Sequence, residues 1–327
     1  MKFILKVIVY SVLINLAGFA VLFAQAEKRE SLDISASFGN EVFSGFTQYE
    51  LDIPVFSEDG TVQLGTGHSR LKFPYSSYMT GGYVNLEYYG FQLNVGFWGQ
   101  YRSQVEKYFE DFDWLTSADE DQRLAYGRAE PDPELDYWEI EFSYNFRLAS
   151  LNLRPIFAYQ RLNAEFYAKN LEQTWYVDLN DGTIYDPPRQ SAVPGNVLYY
   201  EQNLDLPYLA FGIGYEAFKD RLNLELVLGG TFLASVEDYD DHIIRSDSLE
   251  AWNSGDGGTG VLGGLNIDLN VFEAFWAGID LSYQDYTIDT DGLQRYRDDD
   301  NQVVLANTDT EVRGVIRAVR VTISYFF

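Results

Sequence analysis

The sequence predicts an all-β protein, a ten-stranded antiparallel transmembrane β-barrel with five long extracellular loops and short periplasmic turns. Three observations predict it. In the last nine residues, Val319, Val321, Ile323, Tyr325 and Phe327 fall on one side of a strand, and Arg320, Thr322 and Ser324 on the other. An apolar face of period two that ends on an aromatic residue is how a strand reads between lipid and a polar lumen. The same alternation recurs along the chain, and the connections between segments are alternately short and long. The amino terminus carries an export signal.

That signal comes first in the chain. Lys2 and Lys6 precede an almost wholly apolar stretch from Val7 to Phe23, and Ala24-Gln25-Ala26 is a small-x-small cleavage site. The expected division is therefore a signal peptide over 1–26 and one barrel domain over 27–327. An uncleaved membrane anchor is the competing reading of the apolar stretch. The chain has no cysteine, which excludes a lipid-anchored lipoprotein, disulfides, thiol nucleophiles and thiolate metal sites.

The first five alternating segments run near Leu32–Ile53, Arg70–Tyr88, Phe91–Val105, Leu135–Arg147 and Leu151–Ala168. The second five run near Leu198–Glu216, Leu222–Asp238, Thr259–Leu269, Ala274–Thr287 and Val312–Phe327. Tyr89-Gly90, Ala149-Ser150, Phe218–Arg221 and Asn270–Glu273 read as tight turns. Pro54–Ser69, Glu106–Glu134, Lys169–Val197, Tyr239–Gly258 and Ile288–Glu311 read as long polar connections. Outer-membrane barrels have this asymmetry. A soluble β-sandwich is the competing fold, but its strands average about five or six residues, and several segments here are far longer.

Composition agrees. Aromatic residues make up 17 % of the chain, and barrels place Tyr and Trp in girdles at both membrane interfaces. A net charge of -27 argues against a nucleic-acid partner, because a phosphate backbone is repelled. It favours cationic ligands where the acids cluster. They cluster over Glu106–Asp136 and again over Asp285–Glu311.

Two clusters carry chemistry. Asp111-Phe112-Asp113-Trp114 lies just above the third strand, and Asp238-Tyr239-Asp240-Asp241-His242 just above the seventh. In extended chain Asp111 and Asp113 share one face, and Asp238, Asp240 and His242 share another. A histidine two residues from an aspartate can be oriented by it and can activate a water. A facing acid pair can hold that water. Solvated acidic loops, or weak calcium binding, account for the same residues without catalysis. His68, the other histidine, reads as an exposed residue of a Gly-rich loop.

The two motifs resemble the omptin family of outer-membrane endoproteases. Other stretches agree with it: Ser44-Gly45-Phe46-Thr47, Ser69-Arg70-Leu71, Ala158-Tyr159-Gln160, Leu206-Pro207-Tyr208 and Leu228-Gly229-Gly230-Thr231-Phe232. The resemblance spans nearly the whole mature chain, with low identity between these islands. It implies a ten-stranded barrel in the outer membrane of a Gram-negative-type bacterium and an Asp240–His242 dyad that activates water opposite Asp111 and Asp113. It also implies cleavage of cationic peptides or proteins near basic, typically dibasic, residues. Among acids that would hold the substrate's basic side chains, Asp238 matches one position. Glu50 is expected at a second, with Tyr49 one residue away competing for it. The third, around Asp119–Asp121, does not align. No cofactor is implied.

The outer wall departs from the pattern. Omptins bind lipopolysaccharide as an activator through a Tyr followed at alternate positions by an acidic and a basic residue. Tyr159 is kept here, but Arg161 and Asn163 follow, and Asn203 stands where the family has an arginine. Lipid contact is expected, and the residues that would bind lipopolysaccharide as an activator are only partly present. The alternative function is an inactive barrel serving as an adhesin or small porin, and loss of His242 separates the two readings.

Overall fold

A computed structural model describes residues 32–56, 63–103, 107–116, 121–177, 184–218, 221–243, 249–297 and 303–327. Residues 1–26, expected as a signal peptide, and Asp119–Glu120 lie outside them. The described chain is all strand and turn. In order the strands are β1 Leu32–Phe56, β2 Gln63–Tyr88, β3 in two pieces (Phe91–Ser103 and Phe109–Thr116), and β4 Asp121–Tyr144 with an extension Phe146–Leu148. There follow β5 Leu151–Val177, β6 Ile184–Ala217, β7 Leu222–Asp241, β8 Glu250–Phe272, β9 Phe275–Arg297 and β10 Val303–Phe326.

Each strand pairs antiparallel with its sequence neighbour, and β10 returns to pair with β1 from Ser35↔Phe326 to Asp52↔Asp309. The sheet is thus a closed ring of ten strands with no free edge, the arrangement that satisfies every backbone polar group in lipid. At one end the strands join by tight turns. Tyr89 and Gly90 have φ of 50° and 79°, as a two-residue turn with left-handed backbone requires. This is the turn end, and the opposite one is the hairpin end.

Hydrogen bonds between strands that are not neighbours identify the interior. The Tyr75 hydroxyl of β2 donates to Gln202 Oε1 of β6 at 2.7 Å, and the Tyr137 hydroxyl of β4 donates to Glu41 Oε2 of β1 at 2.7 Å. Gln284 Nε2 of β9 donates to Gln160 Oε1 of β5 at 2.9 Å. Outside, toward the turn end, lies an apolar belt that includes Phe38, Phe157, Leu228, Val261, Ile279 and Val321, all exposed. The closing strand follows its predicted alternation, with Val319, Val321 and Ile323 outward and Thr322 and Ser324 buried.

The strands continue past this belt. β6 begins at Ile184, and β8 at Glu250, inside segments read from sequence as long connections. The external loops are therefore mostly paired β-hairpin. Above the belt both faces of a hairpin meet polar surroundings, so the apolar alternation that marks a strand disappears while the backbone pairing persists.

Halfway up, an aromatic layer crosses the lumen. Phe73 stacks on Tyr200 with centroids 4.0 Å apart and planes 9° apart, and packs on Phe109 at 4.9 Å and Phe166 at 5.4 Å. Phe43 packs on Tyr75 and on Tyr137, at 5.7 Å in each case. The layer separates a mouth at the hairpin end from a chamber at the turn end.

Candidate active site

The outer piece of β3 carries the first acid pair. Asp111 lies in register with Leu71 of β2 and Gly127 of β4, and Asp113 with Ser69 and Ala125. Phe109, two residues earlier on the same face, is buried against Phe73 of the aromatic layer, so both aspartates face the lumen above that layer. Gly127 makes room beside them: a Cβ there would meet Asp111 Cβ at 3.4 Å and Leu171 Cδ1 at 3.2 Å. Phe112 and Trp114 point to the outer wall, where the Arg70 guanidinium lies 5.3 and 5.7 Å from their ring centroids.

The second group depends on a bulge. On the lower part of β7, Val227 is buried and Leu226 and Leu228 are exposed, so odd-numbered residues face inward. Carried upward, that alternation would turn Asp238 and Asp240 outward. The pairing with β6 shifts between Asp205↔Ser235 and Leu209↔Gly230, and Phe232 and Leu233 are both exposed. One extra residue reverses the parity. Above it Ala234, Val236, Asp238 and Asp240 are all buried.

Asp240 is 1 % exposed. Its Oδ2 accepts a short hydrogen bond from the Tyr49 hydroxyl of β1. Its Oδ1 has no hydrogen-bond partner and faces His242 Nε2 at 3.6 Å. Burial, reinforced by the Asp240 charge, raises the Tyr49 phenol well above its ordinary value, so it remains a donor. His242 sits one residue past β7, and its backbone N–H donates to Leu249 O at 3.0 Å across the base of the hairpin.

Asp238 lies beneath. Its Oδ1 accepts from Asn253 Nδ2 at 2.6 Å and its Oδ2 from the Tyr200 hydroxyl at 3.4 Å. Burial pushes its carboxyl up to about 7, against the Asn253 donor and with help from the Asp240 charge. These groups stand above the apolar belt, which on β7 ends at Leu233. The resemblance implies Asp238 as an acid for a substrate's basic side chain. It is 6 % exposed with both oxygens engaged.

Glu50 does not join the group. The inward face of β1 runs through Phe43, Thr47, Tyr49 and Leu51, all buried, and a neighbour one residue on must point away. Glu50 lies on the outer wall, where Gln48 Nε2 donates to its Oε1 at 3.3 Å and Arg70 Nη1 stands 3.7 Å from it. Tyr49 takes the lumen position. Among the residues at the dyad, Tyr49 enters the sequence reading only as the competitor for the Glu50 position, and Tyr200 and Asn253 carry no role in it. Strand parity from Phe43 identifies Tyr49, whereas Tyr200 and Asn253 depend on pairing across strands.

His68 is also corrected: it belongs to β2, with Nδ1 2.6 Å from Asp52 Oδ1 and its ring stacked on Trp114 at 4.9 Å. On the outer wall of β5 the Tyr159 hydroxyl donates to Asp205, and Arg161 Nη1 lies 3.5 Å from the same carboxylate. Asn163 donates to Asp136 Oδ2 at 2.9 Å and is in register with Asn203. Arg161 is thus already committed to an acid.

A closed ten-stranded barrel with an acid pair, an aspartate and a histidine around one mouth defines the class of structure. No protein-family model matches the sequence, and no curated protein does. Among solved structures, the chain is similar to the outer membrane protease OmpT from Escherichia coli, with a TM-score of 0.74 and 14 % identity over 90 % of this chain and 97 % of that one. The likeness establishes the barrel fold. Weaker likenesses include the translocator domain of the autotransporter NalP from Neisseria meningitidis, at TM-score 0.36 and 9 % identity over 97 % of this chain and 95 % of that one. A FadL homologue from Pseudomonas aeruginosa follows at 0.29 and 9 %, with 90 % of each chain covered.

Proposed function

We propose that this protein is an outer-membrane endopeptidase of omptin type, in which Asp240 and His242 activate a water opposite Asp111 and Asp113. One observation carries the reading: β3 and the bulged β7 bring both motifs to the lumen face of the same mouth, above a sealed aromatic layer. Asp240, fixed by Tyr49, orients His242 through Nε2 and stabilises its cationic form. Nδ1 is then the nitrogen that takes the water's proton as the hydroxide attacks the scissile carbonyl. Asp111 and Asp113 hold the water from the other side. The 3.6 Å gap exceeds a hydrogen bond, and such contacts commonly tighten only when substrate is bound.

Substrate preference follows from charge. Asp111, Asp113 and Asp240 ring the mouth and Asp238 lies under it, so a peptide with basic residues beside the scissile bond gains Coulomb attraction that partly buried acids preserve against salt. With Tyr49 in place of a second deep acid, selection for a dibasic pair rests on fewer charges than the resemblance implies. On the outer wall, Arg161 is paired to Asp205, so activity needs no lipopolysaccharide. The buried rings of Phe43, Phe73, Tyr75, Phe166 and Tyr200 fill the lumen at the aromatic layer, which weighs against a porin.

The test is refolded mature protein with fluorogenic peptides containing Arg-Arg or Lys-Arg. Cleavage beside the basic pair is expected. A folded barrel that cleaves none of them contradicts the proposal and leaves the adhesin reading.

A further inference from the structure

Below the aromatic layer the lumen holds a chamber of about 590 Å³, within the range of small-molecule sites. Phe43 and Tyr137 close it toward the mouth, and Gln92, Asn145 and Phe326 stand at the turn end. Its wall carries eight carboxylate residues and two arginines.

Both arginines are already shared. Arg154 bridges Glu141 and Glu225, the latter at 2.6 Å. Arg320 bridges Glu41 at 2.9 Å and Glu139 at 3.5 Å. Asp268 of β8 and Asp280 of β9 are left with no ion-pair partner among the described residues; Asp268 receives only an amide hydrogen bond from Asn223, at 3.4 Å.

Glu41 supplies an independent observation. The residue is 1 % exposed, and its Oε2 is pinned by the Tyr137 hydroxyl and by Arg320. Its other oxygen, Oε1, is buried in the chamber wall without a hydrogen-bond partner. Asn85 Oδ1 and Gln284 Oε1, also on the wall, are buried and unpartnered too. Every one of these atoms is an acceptor. Buried acceptors are satisfied by donors, and the surplus of negative charge selects a donor that is a cation.

An ammonium group offers three donors and no acceptor. A single metal ion would need its ligands gathered at one point, and no three His, Asp or Glu side chains converge in that way among the described residues. We infer that the chamber binds an aliphatic polyamine entering from the turn end, with its ammonium groups spread between Glu41 and the Asp268–Asp280 side. This does not depend on the protease reading, because the aromatic layer separates the chamber from the mouth.

The experiment is calorimetric titration of the refolded barrel in zwitterionic detergent with spermidine, at ionic strength fixed by sodium chloride, with magnesium chloride as a parallel arm. One saturable spermidine site is expected, weakened about tenfold or more in Asp280→Asn and in Glu41→Gln. Both variants should retain heat-modifiable gel mobility, and Asp280→Asn should cleave peptide at the wild-type rate. If Glu41→Gln does not fold, Asp268→Asn replaces it. The inference is overturned by the absence of a saturable site, by equal binding of magnesium, or by wild-type affinity in folded Asp280→Asn. Loss of the site in Asp111→Asn with wild-type binding in Asp280→Asn would place spermidine in the mouth and equally overturn it.

Discussion

The Tyr49 hydroxyl donates to Oδ2 of Asp240 and leaves Oδ1 turned toward His242. A residue on β1 thereby fixes the orientation of a carboxylate on β7, across the lumen. A hydrogen bond to a charged group contributes about 1.5–3 kcal/mol, equivalent to roughly ten- to a hundredfold in rate if expressed in the chemical step. Tyr49→Phe keeps the ring beside Tyr200, whose centroid lies 6.1 Å away, and removes only the donor. The variant should lose kcat by on the order of tenfold with KM little changed. A folded Tyr49→Phe protein with wild-type kcat would show that Asp240 needs no such anchor.

Asp238 should make basic-residue selection depend on pH. Its carboxyl sits at about 7 in the folded protein because it is buried, among Tyr49, Tyr75, Tyr200, Tyr286, Asn253 and Asp240. Below that value it is neutral and adds no attraction for a substrate cation; above it the charge appears. The rate on an Arg-Arg peptide relative to a citrulline analogue should therefore rise from about pH 6 to about pH 8, and the rise should be absent in Asp238→Asn. The stability effect has the opposite sense. A folded value above the unfolded one gives stability fully present below the unfolded value and lost as pH rises through about 7. Parallel pH profiles for wild type and variant would remove Asp238 from selection.

Lipopolysaccharide should not stimulate the proposed peptide cleavage. Arg161 is held by Asp205, and Asn163 and Asn203 supply no charge for a phosphate. The check is the peptide cleavage rate in lipid-free micelles before and after addition of lipopolysaccharide. A clear increase would show that another part of the wall binds it.

The sequence displayed most of the barrel and part of the site, and the difference has physical causes. Where a strand separates lipid from lumen, the two solvents impose alternation, and Val319–Phe327 reads directly. At Ile184–Val197 the strand is paired but polar on both faces, so nothing marks it. The two acidic motifs are local in sequence and could be found, but that Asp240 faces inward depends on the extra residue at Phe232–Leu233, which the local pattern does not announce. Glu50 was misplaced by one residue, and in a strand one residue exchanges inside for outside. Phe43 and Thr47 set the parity that assigns the lumen position to Tyr49. Asn253 and Tyr200 reach Asp238 from β8 and β6, contacts that only register determines.

The most direct measurement is cleavage of an Arg-Arg fluorogenic peptide by refolded His242→Ala protein, alongside its heat-modifiable mobility on a gel. The substitution removes the proposed proton acceptor above the apolar belt and leaves the lipid-facing wall and the aromatic layer untouched. The account predicts wild-type mobility and no cleavage above background. A folded His242→Ala barrel that cleaves at the wild-type rate would contradict it.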